Sequence, residues 1–389
     1  MTVNFNKPAF KLREALTQLK KKSGVFGETL LRTNTASEAH TVLGTTGKNL
    51  FINGAMEINQ RGATSLTSGG FLLDRWKYNY SNYSGAFTQS VQDDAPEGFT
   101  KSFKFLTTTG AAIPAGGYHY FSQIIERNNC AHLNYNTYNA KPVTVSFWIK
   151  GNITGTYALT LYNWQANRSI NRSYTITRPG VWEKKTVTFP GDITGALTAG
   201  TGQGLELYFI LGVGASYKGS IANDWVGYSG TYFGGAQTAD VGATTGGYWQ
   251  ITGIQMEAGT AATPFERRSY GQELALCQRY WFNIIGNSNG TGAFTLGFAW
   301  STSELGSVIR FPVPMRSTSP TLVQSTGTDY YAFEGNATNK TFSQFTAIAR
   351  PSDSSGYLYT GLGGVLTTGT AGELRTNNSN AYLAVNAEL

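Results

Sequence analysis

From about residue 48 onward, apolar and polar positions alternate with a period of two in one short run after another. "VTVSFWIKG" shows the pattern. Val143, Val145, Phe147 and Ile149 would face a core, with Thr144, Ser146, Trp148 and Lys150 on the other side. Similar runs are "RWKYNY", "KSFKFLT", "YFSQIIER", "YALTLYNW", "SYTIT", "KKTVTF", "LELYFIL" and "YWQITGIQME", broken by Gly, Pro and Asn. Short alternating strands with frequent breaks predict an antiparallel two-sheet sandwich of jelly-roll type. No fixed-period repeat is present, which argues against a propeller or a β-helix. The first run, "NLFING", reads as a strand and is expected to lie beside the last, because sandwich domains commonly bring their ends together.

Three segments depart from this period. In the amino-terminal stretch, Leu12, Leu16 and Leu19 fall on one helical face, predicting a helix from about Pro8 to Lys21. Thr35 with Glu38 is a capping box for a second helix that Gly44 would stop. Both are too short to stand alone and need a surface to dock on. The third is "TPFERRSYGQELALCQRYWF". Pro264 ends the preceding strand, and Phe265 is expected to pack on the sandwich edge. Ser269 and Gln272 form a capping box, and Leu274, Cys277 and Trp281 share a face of a helix expected to end near Asn283. Beyond it, "GAFTLGFAW", "SVIRFPVPM", "TFSQFTAIAR" and "AYLAVNAEL" predict a second, smaller β-sandwich. The expected organisation is a mainly β chain: a helical segment at 1–47, a jelly roll at 48–266, a helical connector at 267–283 and a carboxy-terminal β domain at 284–389.

Composition agrees: charged residues are only 14%, and Gly, Tyr and Phe number 47, 22 and 22. The net charge of +7 is concentrated at the start, where residues 1–48 hold eight Lys/Arg against Glu14, Glu28 and Glu38. Only "LKKKS" is a basic run and no stacking aromatics interleave it, so a docking face is preferred to nucleic-acid binding. No apolar run is long enough to span a bilayer, and the amino terminus carries no apolar signal-peptide core. Cys130 and Cys277 read as free thiols of a reducing cytoplasm.

Catalytic chemistry is hard to find. No phosphate loop, dinucleotide fingerprint or zinc motif occurs. A nucleophilic Cys277 would need a base, and His40, His119 and His132 sit in no Cys/His pattern. Glycan cleavage needs two facing carboxylates, and no spacing among Asp93, Asp94, Glu97, Asp224 and Asp240 singles out a pair. No catalytic residue is assigned, and the chain is expected not to be an enzyme.

"NLFINGAMEINQRG…FLLDRW" followed by "GIQMEAGTAATPFERRSYGQELALCQRYW" resembles tailed-bacteriophage fibre and virion-surface proteins with a carbohydrate-binding-module-like jelly roll. The residues that carry the likeness are Asn49, Leu50, Asn53, Gly54, Asp74, Arg75, Trp76, Gln255, Glu257, Gly259, Thr263, Pro264, Phe265, Glu266, Arg268, Glu273, Cys277, Gln278, Arg279 and Tyr280. The resemblance implies a virion structural protein, a tail-fibre-like or spike component made in the host cytoplasm. It would attach to other virion proteins through the amino-terminal segment, associate as a homotrimer and contact host-surface glycan. A capsid-attached head fibre or decoration protein and, less favoured, a glycan depolymerase are the alternatives. The resemblance also allows a structural calcium near the first and last strands. Glu57 lies in the right stretch, but the last strand offers Gln255 and Glu257 without the Asp common there. No other cofactor, metal, nucleic-acid partner or membrane insertion is expected.

For glycan binding the candidates are the aromatic residues in loop-like stretches: Trp225, Tyr228 and Tyr232 in "DWVGYSGTYFGG", Trp164 in "YNW", and Tyr80 and Tyr83 in "YNYSNYSGAF". Such rings offer a broad apolar face and a polar tip, which suits stacking on a sugar.

Overall fold

A computed structural model describes residues 47–219, 221–285, 292–335 and 338–389. The expected amino-terminal helices, with Leu12, Leu16 and Leu19, lie outside the described residues. The described chain is mainly β, as the alternation predicts.

Two antiparallel sheets face each other in the first sandwich. One runs in the order 65–66, 86–92, 102–109, 248–258, 143–151, 183–189. The other runs 226–227, 168–176, 155–163, 203–213, 118–126, 76–81, 70–73. The alternation places Val143, Val145, Phe147 and Ile149 in the shared core with Trp76, Phe103, Phe121, Phe209 and Trp249. Trp76 lies parallel to Phe121 at 5.1 Å, and Phe103 stacks on Phe121 at 4.1 Å. These buried rings make most of the core area, and area removed from water is the main favourable term in folding.

"NLFING" lies beside the last strand but is not itself a strand. Leu50 N donates to Met256 O at 2.8 Å, and Ile254 N donates to Gly54 O at 2.9 Å. The backbone turns through Asn53, between these bonds, and Met56, just past them, with φ of 58° and 62°. Asn53 holds the turn: its Oδ1 accepts from Glu57 N and Ile58 N, and its Nδ2 donates to Ile58 O and Asp74 O. Gly54 is required because a Cβ there would lie 2.1 Å from Ile254 O.

The helix Tyr270–Gln278 carries the expected Ser269–Gln272 capping box. It ends earlier than the pattern suggests. Trp281 starts a strand, Trp281–Ile285, that pairs with Leu383–Asn386. That pairing claims the backbone that helix extension would need. Phe265 packs edge-on against Phe99 at 5.1 Å. Cys277 is fully buried with Ile52, Ile58 and Tyr280, and Leu274 packs against this group. Cys130 and Cys277 are both free and buried. Burial, helped by Asp74 and Glu273, pushes the Cys277 thiol well up, which suits a core residue and not a thiolate nucleophile.

The carboxy-terminal strands form a three-stranded sheet, 281–285, 383–386 and 321–324, and a seven-stranded one. Tyr331, Phe333, Phe345, Leu358, Leu374 and Leu383 fill the space between them. A set of buried charges ties this unit to the first. Arg75, with φ of 70° and a side chain 2% exposed, pairs with Glu388. Its guanidinium lies 3.6 Å over the Tyr280 ring, and Nη2 donates to Ile124 O at 2.6 Å. Arg61 bridges Asp74 and Glu388 at 3.2 and 3.1 Å. Arg279 forks onto Glu126 at 2.7 and 3.0 Å, and Tyr280 Oη donates to the same carboxylate at 2.9 Å.

Removing one member of such a buried pair leaves the other uncompensated, at a cost of about 3–5 kcal/mol. Glu388→Ala is therefore expected to lower unfolding free energy by that order in a urea titration. A change below about 0.5 kcal/mol would show that Arg75 is solvated.

Burial pushes the Asp74 carboxyl up to about 6, although Arg61 and Gln60 pull it down. The folded state thus holds this proton more tightly than the unfolded chain, whose carboxyl titrates near 3.8. The contribution is fully present below the unfolded value and is lost as pH rises through about 6. Asp74→Asn is expected to remove about 2 kcal/mol of the stability difference between pH 4.5 and pH 7.5. Parallel denaturation curves at the two pH values measure this, and an unaltered difference would rule it out.

Candidate functional site

The seven-stranded sheet of the first sandwich turns one face to the core and the other outward. On the outward face, Lys77, Ser122, Tyr208 and Thr160 form one cross-strand row, with Asn79, Tyr120 and Ile210 in the next. Glu206 faces Ile124 on one side and Tyr162 on the other. Strand alternation alone sets this placement. In "LELYFIL", Leu205, Leu207, Phe209 and Leu211 enter the core, so Glu206, Tyr208 and Ile210 must face away from it.

Glu206 is nonetheless buried, at 4% exposure, because rings close over it. Its Oε1 accepts from Ser122 Oγ at 2.8 Å. Its Oε2 accepts from Trp164 Nε1 at 2.9 Å and from Tyr208 Oη at 2.5 Å. Burial pushes its carboxyl up, while the Tyr208, Ser122 and Trp164 hydrogen bonds and the nearby Lys77 charge pull it back. Around it, Tyr120 meets Tyr208 edge-on at 4.9 Å, and Tyr162 sits between Trp164 and Tyr228, each 5.0 Å away. Asn79 Nδ2 holds the Tyr120 hydroxyl at 3.0 Å. Of these groups, Glu206, Ser122, Trp164, Tyr208 and Tyr120 border a cleft of about 230 Å³ whose lining also includes Lys77, Arg75, Gln203 and Phe71. Half-exposed rings, one fixed carboxylate, an ammonium and an amide are a set that can stack on a ring and hydrogen-bond its hydroxyls.

The expected aromatic residues divide. Trp164 and Tyr228 are exposed on this face, at 38% and 43%. Tyr232 is half-buried in a short 3-10 turn, where its carbonyl accepts from Asn171 Nδ2. Its neighbour Phe233 points into the cluster of Tyr118, Tyr120 and Tyr208. Trp225 is not an exposed platform. It is 5% exposed, edge-on to Tyr135, with Nε1 donating to Pro190 O at 2.8 Å. Tyr83 is also buried, stacked on His119 at 5.4 Å with its hydroxyl on Gly242 O. Tyr80 is also exposed, at 36%, but it shares the parity of buried Tyr78 and packs against Phe87 at 5.1 Å, so it caps the sandwich end and does not join the cleft. Reading loops for exposed rings missed Tyr120, Tyr162, Glu206 and Tyr208, which lie in strands. The signal available was an acid at mid-strand in an otherwise apolar alternation.

The loop carboxylates stay apart from the cleft. Asp93 pairs with Lys101, Asp94 pairs with Lys150, and Asp240 lies 3.6 Å from His119 Nε2. The oxygens that a calcium between the first and last strands would use are already engaged. Arg268 donates to Phe51 O at 3.1 Å and to Asn49 O, and it pairs with Glu266 and Glu273 at 3.3 and 3.4 Å. Lys48 Nζ donates to Pro264 O at 2.7 Å, and Glu257 is bound by Thr263 N and Oγ1. Glu57 accepts from Thr100 on the exposed side. The residues present do not fit the ion, because a fixed cation already holds its ligands.

No family model matches the chain, and no curated protein does. Similar solved structures exist. The enzymatically active domain of bacteriophage CBA120 tailspike protein 4 is 13% identical over 54% of this chain, with a TM-score of 0.31. The chain spans only 21% of that domain's length. The family 11 carbohydrate-binding module of a Clostridium thermocellum cellulosomal cellulase is 12% identical over 51% of this chain and 96% of the module, with a TM-score of 0.27. A putative sugar binding protein from Bacteroides thetaiotaomicron is 12% identical over 54% of this chain and 100% of its own, with a TM-score of 0.29.

The burial difference between two tryptophans is testable. Trp225→Ala is expected to destabilise by about 3–5 kcal/mol, as for a large core ring. Trp164→Ala is expected to cost about 1–2 kcal/mol, the scale of one donor lost to a buried carboxylate. Urea denaturation of both variants gives the order, and the reverse order would place Trp225 at the surface.

Proposed function

We propose that the outward cleft around Glu206 binds glycan, and that the chain acts as a fibre or spike component at a phage virion surface, contacting host polysaccharide without cleaving it. The observation that carries this reading is the carboxylate of Glu206, fixed by Trp164, Tyr208 and Ser122 at the bottom of a ring-lined cleft. A buried acid held by three donors is set in place before any ligand arrives, and pre-organisation of this kind limits the cost of binding. Lys77 and Gln203 supply donors for hydroxyls at the same cleft. Among the side chains that line the cleft, Glu206 is the one carboxylate, whereas hydrolysis of a glycosidic bond takes a facing pair. That favours an adhesin over a depolymerase. The basic amino-terminal segment is the part through which the chain would join other virion proteins, and several copies on one particle would raise a weak single-site affinity by avidity. Among the described residues no helix is long and apolar enough to cross a membrane.

Binding of this kind rests on stacking and short-range hydrogen bonds. It is expected to change little between low and moderate salt, unlike attachment through a basic patch. Trp164→Ala is expected to weaken binding of purified protein to host polysaccharide by about tenfold or more, since a central aromatic anchor carries much of the affinity. A glycan array followed by titration at two salt concentrations tests both points. Unchanged binding by the Trp164 variant would remove the cleft from consideration, and release of oligosaccharide would make the protein an enzyme.

A further inference from the structure

The carboxy-terminal unit carries a second outward sheet face, and it is unlike the first. Its sheet runs in the order 338–342, 331–335, 371–376, 293–299, 304–310, 355–361, 347–349. Leu305, Ile309, Leu358 and Leu374 fill the core side. By alternation Leu296, Phe298, Val308, Tyr357 and Tyr359 take the other side, with Trp300 just beyond the strand end. Exposure is high: Leu296 77%, Val308 62%, Trp300 56% and Phe298 38%. These residues adjoin. Phe298 pairs with Gly306, Val308 pairs with Tyr357, and Trp300 lies edge-on to Phe298 at 5.1 Å and to Tyr357 at 6.3 Å. The Tyr357 ring lies across Gly306, where a Cβ would meet its hydroxyl at 1.8 Å, so the centre of the face is filled level.

A contiguous apolar patch of this kind is uncommon on an isolated chain and marks a contact surface. Two features select the occupant. Leu296 and Val308 are aliphatic, and a sugar gains little from them, whereas protein interface cores are built from such groups. The charges that flank the patch also complement one another. On the strand 304–310, exposed Glu304 and exposed Arg310 stand at equal distances on either side of Ser307. Neither makes an ion pair with another described residue. A two-fold axis lying between the two faces, parallel to the sheets and perpendicular to this strand above Ser307, would bring Glu304 of one copy to Arg310 of the other, twice. Contact through the same patch on both subunits requires this kind of self-complementarity.

We infer that two copies of this chain associate face to face through the outer surface of the carboxy-terminal sheet, with Leu296, Phe298, Trp300 and Val308 buried and Glu304 paired with Arg310 across the axis. Sedimentation of the full chain at micromolar concentration is expected to show a two-fold multiple of the monomer. Val308→Arg is expected to raise the dissociation constant at least tenfold while leaving the melting temperature of the isolated monomer unchanged. Glu304→Arg and Arg310→Glu place like charges opposite each other, and each is expected to weaken association. The double swap restores the pairing and is expected to recover wild-type mass. A monomeric wild type, or an assembly insensitive to all three single variants, would overturn the inference. A three-fold assembly through this face would overturn it as well. So would glycan binding that Trp300→Ala abolishes in a chain with no self-association.

Discussion

Burying a guanidinium is costly unless its charge and most of its donors find partners, and Arg75 sits under that constraint: Nη1 and Nη2 are engaged, while Nε has no partner among the described residues. Its backbone takes a left-handed conformation that points the side chain out of the first sandwich. There Glu388, the Ile124 carbonyl and the Tyr280 ring receive it. These partners come from three distant parts of the chain: the strand 118–126, the segment after the connector helix, and the last residues. None can shift without exposing a charge to an apolar surface. Arg61, Asp74, Glu126 and Arg279 extend the same arrangement, so the junction between the two β units is a polar network sealed by Ile52, Ile58 and Cys277.

With the junction fixed, the two outward faces take opposite chemical characters. The first sandwich presents rings around one restrained acid, with space between them. The carboxy-terminal sheet presents an exposed apolar patch, with Glu304 and Arg310 at its two ends and Glu334, Glu373 and Arg375 along one side. Hydroxyl-rich ligands need directional partners, and flat aliphatic area needs another protein surface. The division follows from which side chains the strand alternation turns outward, not from any difference in backbone architecture.

Much of the fold was legible in the alternation. Runs such as "VTVSFWIKG" and "KKTVTF" became strands, and Ser269 with Gln272 marked the helix start. "NLFING" misled because its apolar residues are buried by an asparagine-held turn, which period-two counting cannot distinguish from a strand. Trp281 misled because its helical spacing from Cys277 was outweighed by pairing with a strand a hundred residues away. At the cleft, Trp164 and Tyr228 were legible as exposed rings, but Trp225 was not legible as a core ring. A Gly-rich neighbourhood signals an irregular backbone and says nothing of whether the loop folds inward. Glu206 was missed because its environment is made by Ser122 and Trp164, which are neighbours only through sheet register. The residues that carry the family likeness, Asn49, Asn53, Asp74, Arg75, Arg268 and Tyr280, proved to be architectural. They hold the chain ends and the junction, and of them only Arg75 also lines the cleft.

The guanidinium of Arg268, clasped by two main-chain carbonyls and two glutamates where the first segment meets the last strand, bears on how stability responds to the surrounding medium. A site filled by a dissociable ion makes stability depend on that ion's concentration, by mass action. A covalently tethered cation has no such dependence: its effective concentration is set by the chain. At this seam the fold therefore keeps the same stability in media rich or poor in divalent ions, a property suited to a protein that works in whatever medium surrounds it.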